Sequence, residues 1–448
     1  MAGRKEMDLT TGRPFGSLLR FAVPVILGNL FQLFYTLADS VIVGKTLGAD
    51  SLAAVGSTSI IIYFVLCFIN GFTGGFGICL GQRCGARDER GMRKSIAVSI
   101  ILSVIFAVVL TTLCCVLSHQ IIRWMKIPAD IAEEAYAYMF VVLLGTGATV
   151  FYNMISNILR ALGDSKTPLY FLVFSSVLNI FLDILFILPL GMGVAGAAWA
   201  TILSQFLSAV LSLMVGMRRF EVLHLKKDDF ANLGNAMTVH LKTGFPMGFQ
   251  MSVMCIGQLA MQMVVNSLGT AAVAGYTAAS KADQLSVLVN NAMMTAISNY
   301  VAQNFGAGKR ERICQGVRAS LIQTETFNVL MCAGIILLRH PIVELFMSNP
   351  TKEIYHYSDA YLTIVAPFYV ILGLLAVYRT TIQSMQNGWA PFAACMIELV
   401  MRISATVGLV GMLGYTSVCI ASPMAWFGAC ALLIPCYYRM MKVWKKDK

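Results

Sequence analysis

Charge is what this sequence has least of. Of its 448 residues only 12% are Asp, Glu, Lys or Arg, against 58% hydrophobic, and the mean hydropathy is +0.73. No soluble core can bury that apolar fraction, so the composition excludes a soluble globular domain and indicates an all-α polytopic membrane protein. Acid is scarcer than base, with 22 Asp and Glu to 33 Lys and Arg. In a soluble chain the net charge of +11 would suggest nucleic acid. Here the basic residues sit in short loops between apolar runs, so the partner expected is a lipid bilayer and not a nucleic acid. No GxxxxGK[ST] loop, HExxH or GxSxG occurs, which leaves ATP-driven pumping and membrane hydrolysis without support. The chain is not expected to be an enzyme, and no organic cofactor is expected. The twelve cysteines form no CxxC pair, and the five histidines lie near span ends away from other ligand types. A transition-metal site is therefore not expected. The opening segment, MAGRKEMDLTTGRP, lacks the regions of a signal peptide and does not start Met-Gly.

What the sequence has is apolar runs. Periodicity and punctuation divide it into twelve spans, near residues 18–45, 51–80, 95–118, 132–160, 168–188, 193–217, 238–267, 271–301, 313–338, 354–385, 391–413 and 416–438. The one long polar linker, residues 218–237, marks the middle. It separates an N-lobe, residues 1–217, from a C-lobe, residues 238–448. The halves repeat: FAVPVILGNLFQL aligns with GFPMGFQMSVMCI, GQRCGARDERG with AQNFGAGKRER, and ILRALGDSKTP with TIQSMQNGWAP, at offsets of 221 to 223 residues. Six spans return the chain to the side it started from. The sequence thus predicts two parallel six-helix repeats, 6+6, around a central cavity. With the N-terminus inside, 25 Lys and Arg fall in cytoplasmic segments and 5 (Lys45, Arg123, Lys126, Arg339, Lys352) in outer ones. Both termini are expected in the cytoplasm and the protein in the cytoplasmic membrane.

The first span organises the rest. It carries a carboxylate, Asp39, and a helix-breaking proline, Pro24. An aspartate there costs roughly 2.5–3.5 kcal/mol on insertion scales, so it is expected to face the protein interior. Gly28, Gln32, Tyr35, Thr36 and Asp39 share one helical stripe, and Pro24 places a hinge below them. In the fifth span Asn179 and Asp183 are four apart on one face, and the sixth carries Thr201. At ~1.5 Å per residue all four groups lie about 8–14 Å from the outer ends of their spans. Two carboxylates and two neutral oxygens form a hard-ligand set suited to Na⁺, or to sharing a proton. The plainer alternative is two unrelated aspartates on separate faces. The C-lobe lacks this set: Asp39 aligns with Met261 or Ala260, and Asp183 with no carboxylate. Its own intramembrane charges are Lys281, Asp283, Glu325, Glu398 and Arg402. Glu398 and Arg402, spaced i, i+4, are expected to form a structural ion pair. Lys281, Asp283 and Glu325 are expected either to form a buried charge network or to line a substrate cavity with Gln32 and Tyr35.

These features together resemble the MATE (multidrug and toxic compound extrusion) family, in its DinF-like bacterial branch. The resemblance covers nearly the whole chain. It rests on the 6+6 repeats, the paired GQRCGAR and AQNFGAG loops, Pro24 and Asp39, RALGDSKTP, NIFLDI and GVAGAAWAT. It implies a secondary antiporter that exports organic cations or amphipathic compounds in exchange for H⁺ or Na⁺, by alternating access of two lobes. The family's N-lobe cation site maps onto Asp39, Asn179, Asp183 and Thr201. NorM-like members carry a glutamate in span 7, where this chain has Gln250, Gln258 and Gln262. The expected partner is a small-molecule substrate and the expected state a monomer. The alternatives are a flippase for a lipid-linked substrate, which would want a strongly basic cavity, and a passive channel, which would want a polar ring in both halves.

Overall fold

In a bilayer every backbone N–H and C=O must be satisfied within its own segment, so long apolar runs become helices. A computed structural model describes residues 8–125, 127–346 and 350–446. Arg4, Lys5, Lys126 and Lys448, counted above among the loop cations, lie outside the described residues. No strand occurs among those described. The first half holds α1 (Pro14–Thr46), α2 (Ala49–Gly85), α3 (Glu89–Trp124), α4 (Ala132–Leu144), α5 (Thr146–Ala161), α6 (Lys166–Ile187) and α7 (Gly193–Arg219). The second holds α8 (Gly234–Ser267), α9 (Thr270–Gly306), α10 (Arg310–Phe346), α11 (Lys352–Val365), α12 (Tyr369–Ser384), α13 (Trp389–Ile403), α14 (Val410–Leu413) and α15 (Thr416–Lys446).

Among the described residues ten helical segments are long and apolar enough to cross a membrane, or eleven if α4 and α5, bent by 43°, count as one. The long helix left out is α9, whose polar load (Lys281, Asp283, Asn290, Asn291, Asn299, Asn304) dilutes its apolar run. With α9 the segments make the twelve-helix fold. Three spans that read as single in the sequence are broken, and in the one over residues 391–413 a π-helical turn, Ser404–Gly408, separates α13 from α14. α4 stops at Gly145, where a Cβ would overlap the Ile202 side chain. α11 passes through a tight 3₁₀ turn, Ala366–Phe368, before α12.

The repeat is visible in the backbone hydrogen bonds. After α2, Ala86 N donates to Gln82 O at 3.0 Å and Asp88 N to Arg83 O at 3.1 Å. After α9, Ala307 N donates to Gln303 O at 3.0 Å and Lys309 N to Asn304 O at 2.9 Å. Gly48 and Gly269 precede α2 and α9 with φ of 98° and 101°, a region closed to residues with a Cβ.

The chain divides into two compact units, and the division differs from the one read in the sequence. The first unit contains Pro24–Gly248; the second contains Leu9–Val23 and the chain from Phe249 onward. The leading half of α8 therefore belongs with α2 and α3. Ser95 Oγ and His240 Nε2 are 2.9 Å apart, the rings of Phe72 and Phe245 are 5.1 Å apart, and glycines let the helix backbones meet. The residues read as a polar linker are docked as well, because Phe220, Leu223 and Leu233 among its charges are buried in the first unit's core. Within the second unit, the segment before α1 is clasped by the α9–α10 corner. Leu9 N donates to Gln303 Oε1 at 3.1 Å, and Leu9 O accepts from Asn304 Nδ2 at 3.0 Å. Lys309 Nζ donates to Thr10 O at 2.9 Å and Arg312 Nη1 to Gly12 O at 3.0 Å. The two crossings fall at Pro24 in α1 and two residues past Pro246 in α8.

A Cβ at Gly75 would lie 2.6 Å from Gly244 Cα, too close for any contact between packed helices. Gly75→Ala is therefore expected to destabilise the protein by about 1–3 kcal/mol through overpacking. The check is the melting temperature and the monodisperse yield of purified protein.

Candidate functional site

In the first unit α1, α6 and α7 bring together the four groups read as a cation site. The α6–α7 turn is tight because Met192 N bonds back to Phe186 O at 3.0 Å, which lays α7 antiparallel along α6. Asn179 Nδ2 then donates to Thr201 Oγ1 at 3.3 Å. One turn further along α6 Asp183 is 0% exposed, and Asn179 is 1% exposed. Asp39 of α1 lies against Asp183, close enough for the two carboxyls to share one proton. Apart from that mutual contact, Asp39 Oδ1, both Asp183 oxygens and Asn179 Oδ1 are buried without a hydrogen-bond partner among the described residues.

Three groups around the pair escaped the sequence reading. The Tyr138 ring of α4 sits beside Asp39 and Asp183. Tyr35, one turn before Asp39, faces Gln205 of α7, whose Oε1 accepts from Thr149 Oγ1 at 2.9 Å. Polar residues in otherwise apolar helices were the available signal. A cavity of about 20 Å³ lies alongside, lined by Gln32, Tyr35, Tyr152, Ser175, Ser176, Ser204 and Gln205. It has room for one water and the polar walls to hold it. A larger apolar groove of about 590 Å³, lined by Phe186, Trp199, Ile202 and Phe206 beside the α4–α5 break, carries no titratable side chain and lies apart from this chemistry.

The second unit has nothing equivalent at the matching positions. Met261 and Ala405, which stand 222 residues after Asp39 and Asp183, are buried in an apolar cluster with Val265, Val418 and Ala421. Its charged residues are arranged otherwise than the sequence suggests. Glu398 pairs with Arg379 of α12 and not with Arg402. The i, i+4 spacing does put Glu398 and Arg402 on one face of α13. Across that face α12 presents Arg379, while Arg402 runs beside Gly257 of α8 toward Tyr276, Tyr361 and Asp283. Lys281 is exposed and does not join Asp283, whose Oδ1 is buried, or Glu325, whose two oxygens are buried. Two residues along a helix is about 200°, which turns Lys281 and Asp283 to opposite sides. Gln32 is exposed on α1 beside the small cavity. Among the described residues no three His, Cys, Asp or Glu side chains converge as a metal site.

Comparison with known proteins bears on the family and the fold. The MatE family model matches twice, over residues 24–185 and 246–407. The chain is 31% identical, over 99% of both chains, to the "Probable multidrug resistance protein YpnP" of Bacillus subtilis (strain 168). It superposes on the crystal structure of MATE in the bent conformation with a TM-score of 0.92 at 25% identity, covering 99% of each chain. On MATE in the straight conformation the TM-score is 0.90 at 25% identity, covering 99% of this chain and 100% of the other. Two copies of one family model across most of a twelve-helix fold leave a single assignment: the chain belongs to the MatE family of membrane transporters.

Proposed function

We propose that the protein is a secondary antiporter that exports small organic cations or amphipathic compounds in exchange for H⁺ or Na⁺. In this reading both termini are cytoplasmic and a single chain is the working unit. The observation that carries it is the set of four buried, unpartnered oxygens on Asp39, Asn179 and Asp183. Two carboxylates in a membrane interior need positive charge, and among the described residues no Lys or Arg pairs with either. A proton shared by the carboxyls would supply it. So would Na⁺ held by those oxygens and Thr201, since all are hard neutral or anionic donors. The substrate class is carried over from the similarity to a probable multidrug resistance protein. The bent and straight conformations named for the solved structures support a fold that takes up more than one conformation.

Asp39 lies in the first unit, yet the helix that carries it enters the second at Pro24, fifteen residues earlier. Occupancy of the carboxyl pair holds the outer part of α1, and its release lets α1 bend where Pro24 leaves a backbone carbonyl without a donor. Pro24→Ala restores that hydrogen bond and is expected to slow exchange about tenfold or more while leaving cation affinity unchanged. Turnover and cation binding measured on one preparation check this, and undiminished turnover would rule out the hinge. The function itself is tested by efflux from proteoliposomes under imposed pH or Na⁺ gradients with a panel of compounds. Accumulation against a substrate gradient supports an antiporter, and mere equilibration would indicate a channel.

A further inference from the structure

Helix α1 is shared: its leading arm belongs to the second unit and the rest, from Pro24 on, to the first. What holds the leading arm is the corner between α9 and α10. Gln303, Asn304 and Lys309 each bond the main chain of Leu9 or Thr10. Arg312 does most. Its Nε donates to Asn304 Oδ1 at 3.1 Å, its Nη1 to Gly12 O at 3.0 Å, and its Nη2 to Thr11 O at 3.0 Å and Leu9 O at 3.3 Å. A guanidinium is a planar fork of five N–H donors, and these bonds use all but one of them. In the first turn of α1, Phe15 O accepts from Gln323 Nε2 at 2.7 Å. The grip is on backbone groups, so it fixes the path of the chain itself. Leu9 is fully buried, and Leu18, Phe21 and Ala22 continue that burial along the arm toward Pro24.

The matching corner of the first unit has the same backbone and a different use. An offset of 221 residues sets Arg83, Asp88 and Gly91 where the second unit has Asn304, Lys309 and Arg312. There Asp88 accepts from Gly91 N at 2.8 Å and from Arg83 Nη1 at 3.3 Å, so the corner closes on itself. The second corner instead aims those three side chains at another segment. Asp8, the residue before that segment, pairs with Arg87 at 3.7 Å, both in the first unit, in a long contact between exposed side chains that holds little.

We propose that Arg312, supported by Asn304 and Lys309, is a positioning residue for coupling. It pins the leading arm of α1, so that cation binding and release at Asp39 bend the helix at Pro24 instead of shifting it as a rod. A helix held at Phe15, nine residues before its proline, yields where its hydrogen-bond ladder is already broken. The inference rests on the antiporter reading above.

The test uses full-length protein in proteoliposomes. Arg312→Ala is expected to slow substrate exchange at least tenfold per folded molecule and to lower the number of ions moved per substrate. Cation affinity should stay within twofold of wild type. Amide hydrogen exchange over residues 9–12 should quicken at least tenfold in the same variant, the sign that the clasp is open. Arg312→Lys keeps the charge but not the fork, and it should behave like Arg312→Ala. Pro24→Ala stiffens the same bend, so adding Arg312→Ala to it should slow exchange little further, whereas two independent defects would multiply. Should Arg312→Ala fail to fold, Lys309→Met removes one donor from an exposed position and is expected to slow exchange about threefold, again with cation affinity unchanged. Wild-type exchange and stoichiometry in a variant whose residues 9–12 have come loose would overturn the proposal. So would full rescue by Arg312→Lys, or multiplicative slowing with Pro24→Ala. Wild-type protein that exchanges substrate without moving ions would instead overturn the antiporter reading, and this inference with it.

Discussion

Asp39→Asn is expected to abolish gradient-driven efflux while leaving a folded, membrane-inserted protein. Asn keeps the shape of Asp and some of its hydrogen bonding, but it neither binds and releases a proton nor supplies a charged ligand. One charge moved through 100 mV is worth about 2.3 kcal/mol, an accumulation ratio of about fifty. In the variant that ratio should fall to one. Asp183→Asn should behave alike, because the two carboxyls lie against each other and in the proposed mechanism bind the cation together. Substrate accumulation in proteoliposomes at matched protein density checks both. Wild-type accumulation by Asp39→Asn would remove the site from the transport cycle.

The second large effect concerns stability. Glu398→Gln leaves Arg379 charged, 3% exposed and without its ion-pair partner. Breaking a buried pair on one side costs roughly 3–5 kcal/mol, far more than the intact pair contributes. Low yield and a melting temperature lowered by many degrees are expected, with a milder loss for a double change that removes both charges. A normally melting Glu398→Gln protein that fails to transport would place Glu398 in the transport machinery instead.

Much of this was legible because helices have a fixed rise and period. Those two numbers place Asp39, Asn179, Asp183 and Thr201 at one depth on inward faces, and the repeat offset shows that the C-terminal half carries Met261 and Ala405 instead. Pairing between helices was not legible. Residues four apart share a face, but what lies across that face depends on the packing of another helix, so Arg379 went unnoticed as the partner of Glu398. The same limit hid Tyr138 and the Thr149–Gln205 contact, which come from helices far apart in the chain. The exchange of leading segments was hidden for another reason. Polar residues such as Gln303, Asn304 and Arg312 read as loop composition, and only the fold shows them gripping the backbone of Leu9 and Gly12. The breaks at Gly145 and at Ala366–Phe368 sit inside apolar runs that periodicity reads as single spans, and the signals for them were the glycine itself and Pro367.

The most direct measurement loads proteoliposomes with substrate, imposes no ion gradient, and follows ion entry as substrate leaves. Wild-type protein should drive H⁺ or Na⁺ inward in fixed proportion to substrate lost, and Asp39→Asn should drive none while still binding substrate. Ion movement of equal size in both proteins, or none in the wild type, would contradict coupling at Asp39 and Asp183.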